Sequence, residues 1–95
     1  MLLALAILTA GHFQGYVERF NRLYPEEVVN AIPDAAALRW MEEQIPRFAC
    51  PDAAFEETYY YRWWSFRKHI KATPRGFVIT EFLKKVNHAT DFNAI

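Results

Sequence analysis

The spacing of apolar residues changes character several times along this chain. Met1–Ala10 is almost continuously apolar. A bilayer-spanning helix needs about 20 such residues, so no stable membrane span is expected from this run. Its length suits the hydrophobic region of a secretory leader, and Leu8-Thr9-Ala10 offers a small-residue cleavage context. No Lys or Arg precedes Arg19, so the basic opening of such leaders is missing. Residues 1–13 therefore read as a signal peptide, with a secreted or periplasmic destination, or as a truncated start or buried leading helix.

From His12 to Tyr24 the spacing becomes helical, with Phe13, Tyr16, Val17, Phe20 and Leu23 recurring at three and four. Glu18 and Arg22 form an i,i+4 pair on the polar side, and Pro25 ends the helix. Glu26–Pro33 is too short to assign and reads as one helical turn or an extended link. Asp34 is placed to cap a second helix over Ala35–Gln44, with Leu38, Met41 and Ile45 on one face. Pro46 stops it. Asp52 then caps a long third helix, with Glu56 and Glu57 at its start and Arg67, Lys68, His69 and Lys71 at its end, the polarity a helix dipole favours. Thr73-Pro74-Arg75-Gly76 breaks it with a turn. Phe77–Leu83 is β-branched and aromatic and predicts a strand apolar on both faces, covered on both sides. Glu81 then needs a buried partner. Lys84–Ile95 shows no period and reads as loop.

The third helix concentrates the aromatic residues. Phe55, Tyr59, Trp63 (or Arg62), Phe66 and Ile70 make one stripe, read as an ordinary core stripe. Tyr60, Trp64, Arg67 and Lys71 make a second, which pairs flat rings with a guanidinium and faces away from the first. Such a row suits stacking on sugar rings, stacking on nucleobases, or a protein interface. Burial of the rings against a missing part of the chain, with Arg67 paired to a carboxylate, is the plainer reading.

Composition narrows these uses. Eleven basic residues balance 11 acidic ones, and a net charge of zero argues against a nucleic-acid partner. An apolar share of 53% in 95 residues exceeds what one small domain easily hides, so a partner surface, a ligand surface or further polypeptide is expected. Cys50, the single cysteine, is read as a small apolar residue rather than a nucleophile. His12, His69 and His88 lack metal-ligand spacing, no phosphate loop appears, and neither metal nor other cofactor is expected. His88, beyond Glu81, is the most interesting of the histidines. The sugar and protein-interface readings both remain open on these grounds.

Five consecutive blocks carry a resemblance: YVERFN (Tyr16–Asn21), PEEVVNAIPDA (Pro25–Ala35), WMEEQIPRFACPD (Trp40–Asp52), YYYRWWSFRKHI (Tyr59–Ile70) and TPRGFVITEFL (Thr73–Leu83). In this order they resemble bacterial glycoside hydrolases of the glucosidase- and trehalase-like, six-hairpin group, built on an (α/α)6 barrel. The resemblance implies a mainly α chain, an N-terminal part of that barrel with about three helices and a short strand or hairpin near 77–83. Residues 14–95 would be an incomplete catalytic domain, with the remainder downstream. It implies a carbohydrate substrate, cleaved by carboxylates lying beyond this chain, and predicts that the 95 residues alone are inactive. Carried over by position, Arg62, Trp63, Trp64 and Arg67 line or brace a sugar subsite, with Tyr60 in the same row and Glu81 and His88 as second choices. The rival expectation is a small helical interaction module with an exposed aromatic and Arg surface.

Overall fold

The computed structural model describes residues 12–28 and 30–84. Within them the chain forms α1 (Gln14–Leu23), a 3₁₀ turn (Asp34–Ala36), α2 (Ala37–Gln44), α3 (Ala53–Lys68), β1 (Ile70–Thr73) and β2 (Gly76–Ile79). The expected mainly α arrangement of three helices and a short hairpin is present. The leader reading of Met1–Gly11 and the loop reading beyond Lys84 lie outside the described residues. His12 and Phe13 lie inside them, and Phe13 is fully buried in the core.

The helix ends follow the prolines. Tyr24 leaves the helical region ahead of Pro25, and Ile45 is extended ahead of Pro46. In α1 the apolar face Phe13, Val17 and Phe20 is buried. Glu18 does not form the expected pair with Arg22; it accepts a hydrogen bond from Gln14 Nε2 at 2.9 Å. Asp34 does not cap α2, which has Ala36 at its N-cap and no side-chain cap. Asp34 lies one turn earlier, in the 3₁₀ segment, and its carboxylate is turned toward Arg67. Asp52 does cap α3, accepting from the Ala54 and Phe55 N–H groups at 3.0 and 3.3 Å. Such a cap is worth about 1 kcal/mol.

The core is built where α1 and α2 meet α3. Phe13, Val17, Phe20, Ala37, Met41, Ile45, Tyr60 and Trp64 form its buried cluster. The Phe13 ring stacks on Tyr60 at 4.6 Å, and Phe20 packs on Trp64 at 5.6 Å. The second row of α3 is buried, with Arg67 on the Asp34 carboxylate, as the plainer reading had it, but against α1 and α2 of this chain. Part of the row expected as the core stripe is exposed instead. Tyr60, Trp64 and Arg67 are 0%, 1% and 0% exposed, whereas Phe55 is 63% and Phe66 37% exposed. The physical reason is polar satisfaction. Rings and polar residues are spread around the helix without one dominant apolar face, so periodicity does not choose the buried side. Each inward side chain carries a polar tip that finds a partner, as a buried polar group must. The Tyr60 hydroxyl donates to Phe48 O at 2.7 Å and accepts from Phe48 N at 2.8 Å. Trp64 Nε1 donates to Asn21 Oδ1 at 2.8 Å. Phe55 and Phe66 have no such tip to anchor them.

The basic end of α3 is an internal clamp rather than a solvated complement to the dipole. Arg67 donates to Ile32 O and, at 2.6 Å, to Asp34 Oδ1. Lys68 reaches Tyr24 O at 3.2 Å, with its ammonium 4.3 Å from the Trp64 ring centroid. Lys71 donates to Asn30 Oδ1 at 2.7 Å. Three side chains that the sequence alone grouped as terminal charges thus hold the Tyr24–Asp34 connection against the helix. Burial, and then the Lys68 charge, push the Lys71 ammonium below its usual value.

The third helix ends at Lys68, earlier than expected, and Ile70–Thr73 forms a strand instead. It pairs antiparallel with β2, Ile70 opposite Ile79 and Thr73 opposite Gly76. Pro74 and Arg75 make the two-residue connection, and Gly76 adopts φ 121°, a conformation that side chains disfavour. The Thr73 hydroxyl donates to Gly76 O at 2.7 Å and accepts from Arg75 N at 3.2 Å. At the hairpin base, Thr80 N donates to His69 O at 2.8 Å, and His69 Nδ1 meets Thr80 O at 2.9 Å. The expected strand is shortened to Gly76–Ile79 and is not covered on both sides: Phe77 is 74% exposed. Glu81 follows the strand and is exposed, so it needs no buried partner.

Candidate functional site: the outward face of the third helix

Turning Tyr60, Trp64 and Arg67 inward leaves another set of residues on the surface. Phe55, Tyr59, Arg62, Trp63 and Phe66 recur at three and four residues along α3, so their side chains share its outer side. Phe55, Arg62 and Phe66 are exposed, and Tyr59 and Trp63 are half-buried. Two clefts lie along this face. One, of about 430 Å³, is lined by Phe55, Thr58, Tyr59, Arg62 and Trp63. The other, of about 460 Å³, is lined by Arg62, Trp63, Ser65, Phe66 and His69. Arg62 and Trp63 stand between them and belong to both.

The rings are held in defined positions. Trp63 meets Phe66 edge-on, with centroids 5.9 Å apart. Tyr59 packs against Phe48 at 4.7 Å, and its hydroxyl donates to Pro46 O at 2.6 Å. The resulting surface offers aromatic faces, the hydroxyls of Thr58 and Ser65, and the Arg62 guanidinium. Flat apolar faces beside hydrogen-bond donors suit a ligand with both C–H faces and hydroxyls. Neither cleft is lined by a carboxylate. The face can therefore bind, while hydrolysis of a glycosidic bond requires two carboxyl groups placed across it.

Of the residues singled out in sequence, Arg62 and Trp63 lie on this face. Tyr60, Trp64 and Arg67 stand behind it, inside the core, and Arg67 Nε has no hydrogen-bond partner among the described residues. Glu81 lies past the hairpin and lines neither cleft. His88 falls outside the described residues. Sequence reading did not assign Tyr59, Phe55 and Phe66 to the surface, because a stripe of rings at helical spacing reads as core. No signal within α3 separates the two rows, because both carry Tyr, Trp and Arg; the partners that decide lie in other segments.

A second cluster braces the N-terminal half of α3. Glu56 accepts from Cys50 N at 3.0 Å and from the Tyr16 hydroxyl at 2.9 Å, with His12 Nε2 3.4 Å away. Burial pushes this carboxyl up, but the Cys50 amide, Tyr16 and His12 outweigh it and hold it below its ordinary value. Burial, and then the hydrogen bond to Glu56, push the Tyr16 hydroxyl up. The cluster ties α1 and the Phe48–Asp52 link to α3. With its carboxylate spent on internal donors, it is scaffolding for the face rather than part of it. Glu57, one residue on, pairs with Arg19 of α1. Among the described residues, no group of three or more His, Cys, Asp or Glu side chains is placed to hold a metal, and no helix is long and apolar enough to cross a membrane.

No family model and no curated protein matches the chain. A solved structure named Sialidase is similar to it, with 52% sequence identity and a TM-score of 0.83. The similarity covers 92% of this chain and 8% of that one. The chain thus spans a small part of the length of the solved structure it matches.

Proposed function

We propose that this chain is a segment of a glycoside hydrolase, the N-terminal part of an (α/α)6 catalytic domain, and that its outward α3 face forms part of a sugar-binding wall. The observation that supports this reading is the 52% identity, over 92% of the chain, to a structure named Sialidase. That name and the RWW-x-x-RKHI and GFVITEFL blocks agree on the breaking of glycosidic bonds. Within the segment, Trp63 supplies a ring for the C–H face of a sugar and Arg62 donates to its hydroxyls. Tyr60, Trp64 and Arg67 brace the wall from behind. The acid and base carboxylates belong to the longer polypeptide, so the 95 residues alone bind sugar without cleaving it.

The test is a titration of the chain with a panel of oligosaccharides, sialylated ones included, read by tryptophan fluorescence. Trp63→Ala and Arg62→Ala should each weaken binding about tenfold, or about 1.4 kcal/mol, with a melting temperature lowered by no more than a few degrees. In the longer polypeptide, Trp63→Ala should lower kcat/KM by a comparable factor. Unchanged kcat/KM would remove the face from the sugar site. Retention of a protein partner by the wild-type chain, lost in Trp63→Ala and unaffected by oligosaccharides, would make it an interaction module instead.

A further inference from the structure

The hairpin is patterned the opposite way from an isolated surface hairpin. Ile70 pairs with Ile79 and Ala72 with Phe77, so these four side chains share one face. Lys71 and Val78 pair on the other face, where Thr80 continues the alternation. The apolar face is the outer one: Phe77 is 74% and Ile79 41% exposed, and Ala72 is exposed as well. The face turned toward the helices takes Lys71, at 6% exposure, and Thr80, at 1%. A half-buried antiparallel pair ordinarily does the reverse, apolar side chains in and polar ones out.

This reversal carries a direct cost. An ammonium is buried while Ala72, Phe77 and Ile79 are exposed and Ile70 is half-buried. A two-stranded hairpin is marginal without a packed apolar face. The arrangement becomes favourable once a layer covers the outer face, which then turns into the core side of the hairpin. The face also differs in kind from the outward side of α3, where Arg62, Thr58 and Ser65 give hydrogen-bonding groups among the rings. Ile70, Ala72, Phe77 and Ile79 offer none. Such a face suits permanent burial rather than reversible contact with a hydroxylated ligand.

We propose that the Ile70–Ala72–Phe77–Ile79 face is the surface on which the rest of a longer polypeptide packs, through an apolar layer laid across the hairpin. The proposal rests on the reading of this chain as a segment of a glycoside hydrolase. The length relation to the similar structure, of which the match covers 8%, identifies further polypeptide as the occupant in preference to a second copy.

Side-chain footprinting by hydroxyl radicals, comparing the 95-residue chain with the polypeptide encoded when its reading frame is continued, tests this. Phe77 and Ile79 should react freely in the short chain. In the longer one they should react roughly tenfold more slowly, in proportion to the area removed from solvent. Phe77→Asp should leave the melting temperature of the short chain unchanged and lower that of the longer one. Equal reactivity of Phe77 in the two polypeptides overturns the proposal. So does protection that appears in the short chain as its concentration is raised, because the occupant is then a second copy. Trp63 reports separately on the sugar face. If it too is protected in the longer polypeptide, the sugar-facing role falls while the docking face stands.

Discussion

The two sides of α3 carry nearly the same residue types and do different work. Tyr60, Trp64 and Arg67 face inward; Trp63 and Arg62 line the outward clefts, Trp63 half-buried and Arg62 exposed. A tryptophan and an arginine thus occur on each side within a single helix. The comparison teaches that residue type decides little here. What separates the pairs is whether a backbone carbonyl, an amide or a carboxylate waits at the end of the side chain. Phe48, Asn21, Ile32 and Asp34 wait for the inner set. Arg62 and Trp63 line two open clefts instead.

Paired substitutions sharpen this contrast. The largest effect is expected for the arginines. Arg67→Ala removes the partner of the half-buried Asp34 and of Ile32 O and should cost about 3–5 kcal/mol in urea unfolding. Arg62→Ala should stay within about 0.5 kcal/mol, as surface substitutions do. The tryptophans follow: Trp64→Ala opens a cavity and strands Asn21, for a loss of about 3–4 kcal/mol, whereas Trp63→Ala, half-buried, should cost under about 1 kcal/mol. If both members of either pair cost the same, the assignment of inner and outer faces is wrong.

Smaller effects test the polar tips themselves. Tyr60→Phe leaves Phe48 N and O without their side-chain partner and should cost about 1–2 kcal/mol, against a negligible change for Tyr61→Phe. The Glu56 cluster should show in the pH dependence. Its folded carboxyl lies below its ordinary value, so the stability it contributes is present above the unfolded carboxyl range. That contribution is lost as pH falls through the depressed folded value. Glu56→Gln should therefore flatten the acid limb of a stability-versus-pH curve below about pH 4.5 while leaving the neutral plateau level, lowered by about 1 kcal/mol. An acid limb unchanged in slope would show that the carboxylate is not held by Cys50, Tyr16 and His12.

The smallest expected change is a gain. A Cβ built on Gly15 meets nothing within 4 Å, and the residue sits in the first turn of α1. Gly15→Ala should add about 0.5 kcal/mol by reducing the freedom of the unfolded chain. Gly76→Ala should do the opposite, because φ 121° is strained for a residue with a Cβ. Thermal unfolding of the two variants side by side measures both.

Much of the local structure was legible before any tertiary contact was known. Pro25 and Pro46 marked two helix ends, because a residue ahead of proline is driven out of the helical region. Asp52 marked the start of α3, because a short carboxylate there satisfies amides that the helix leaves open. Gly76 marked the turn. The strand Ile70–Thr73 was not legible, because IKAT directly continues a strongly helical run and becomes a strand only by pairing with GFVI. The role of Asp34 was hidden for a similar reason. Its position before an apolar run suits a cap, but the guanidinium that claims it lies in another helix.

The sequence by itself determined where elements begin and end, the acidic-to-basic polarity of α3, and the excess of apolar surface. These depend on neighbours a few residues apart. Only the tertiary structure decided which side of α3 faces the core, why its terminal cations are buried, and why the hairpin shows its apolar side to solvent. Those choices depend on partners far along the chain, where Asn21, Asn30, Ile32, Asp34 and Phe48 supply the oxygens and amide that the inward polar tips require. On a helix whose rings and polar residues are spread around its circumference, hydrophobic spacing is degenerate, and hydrogen-bond satisfaction breaks the tie.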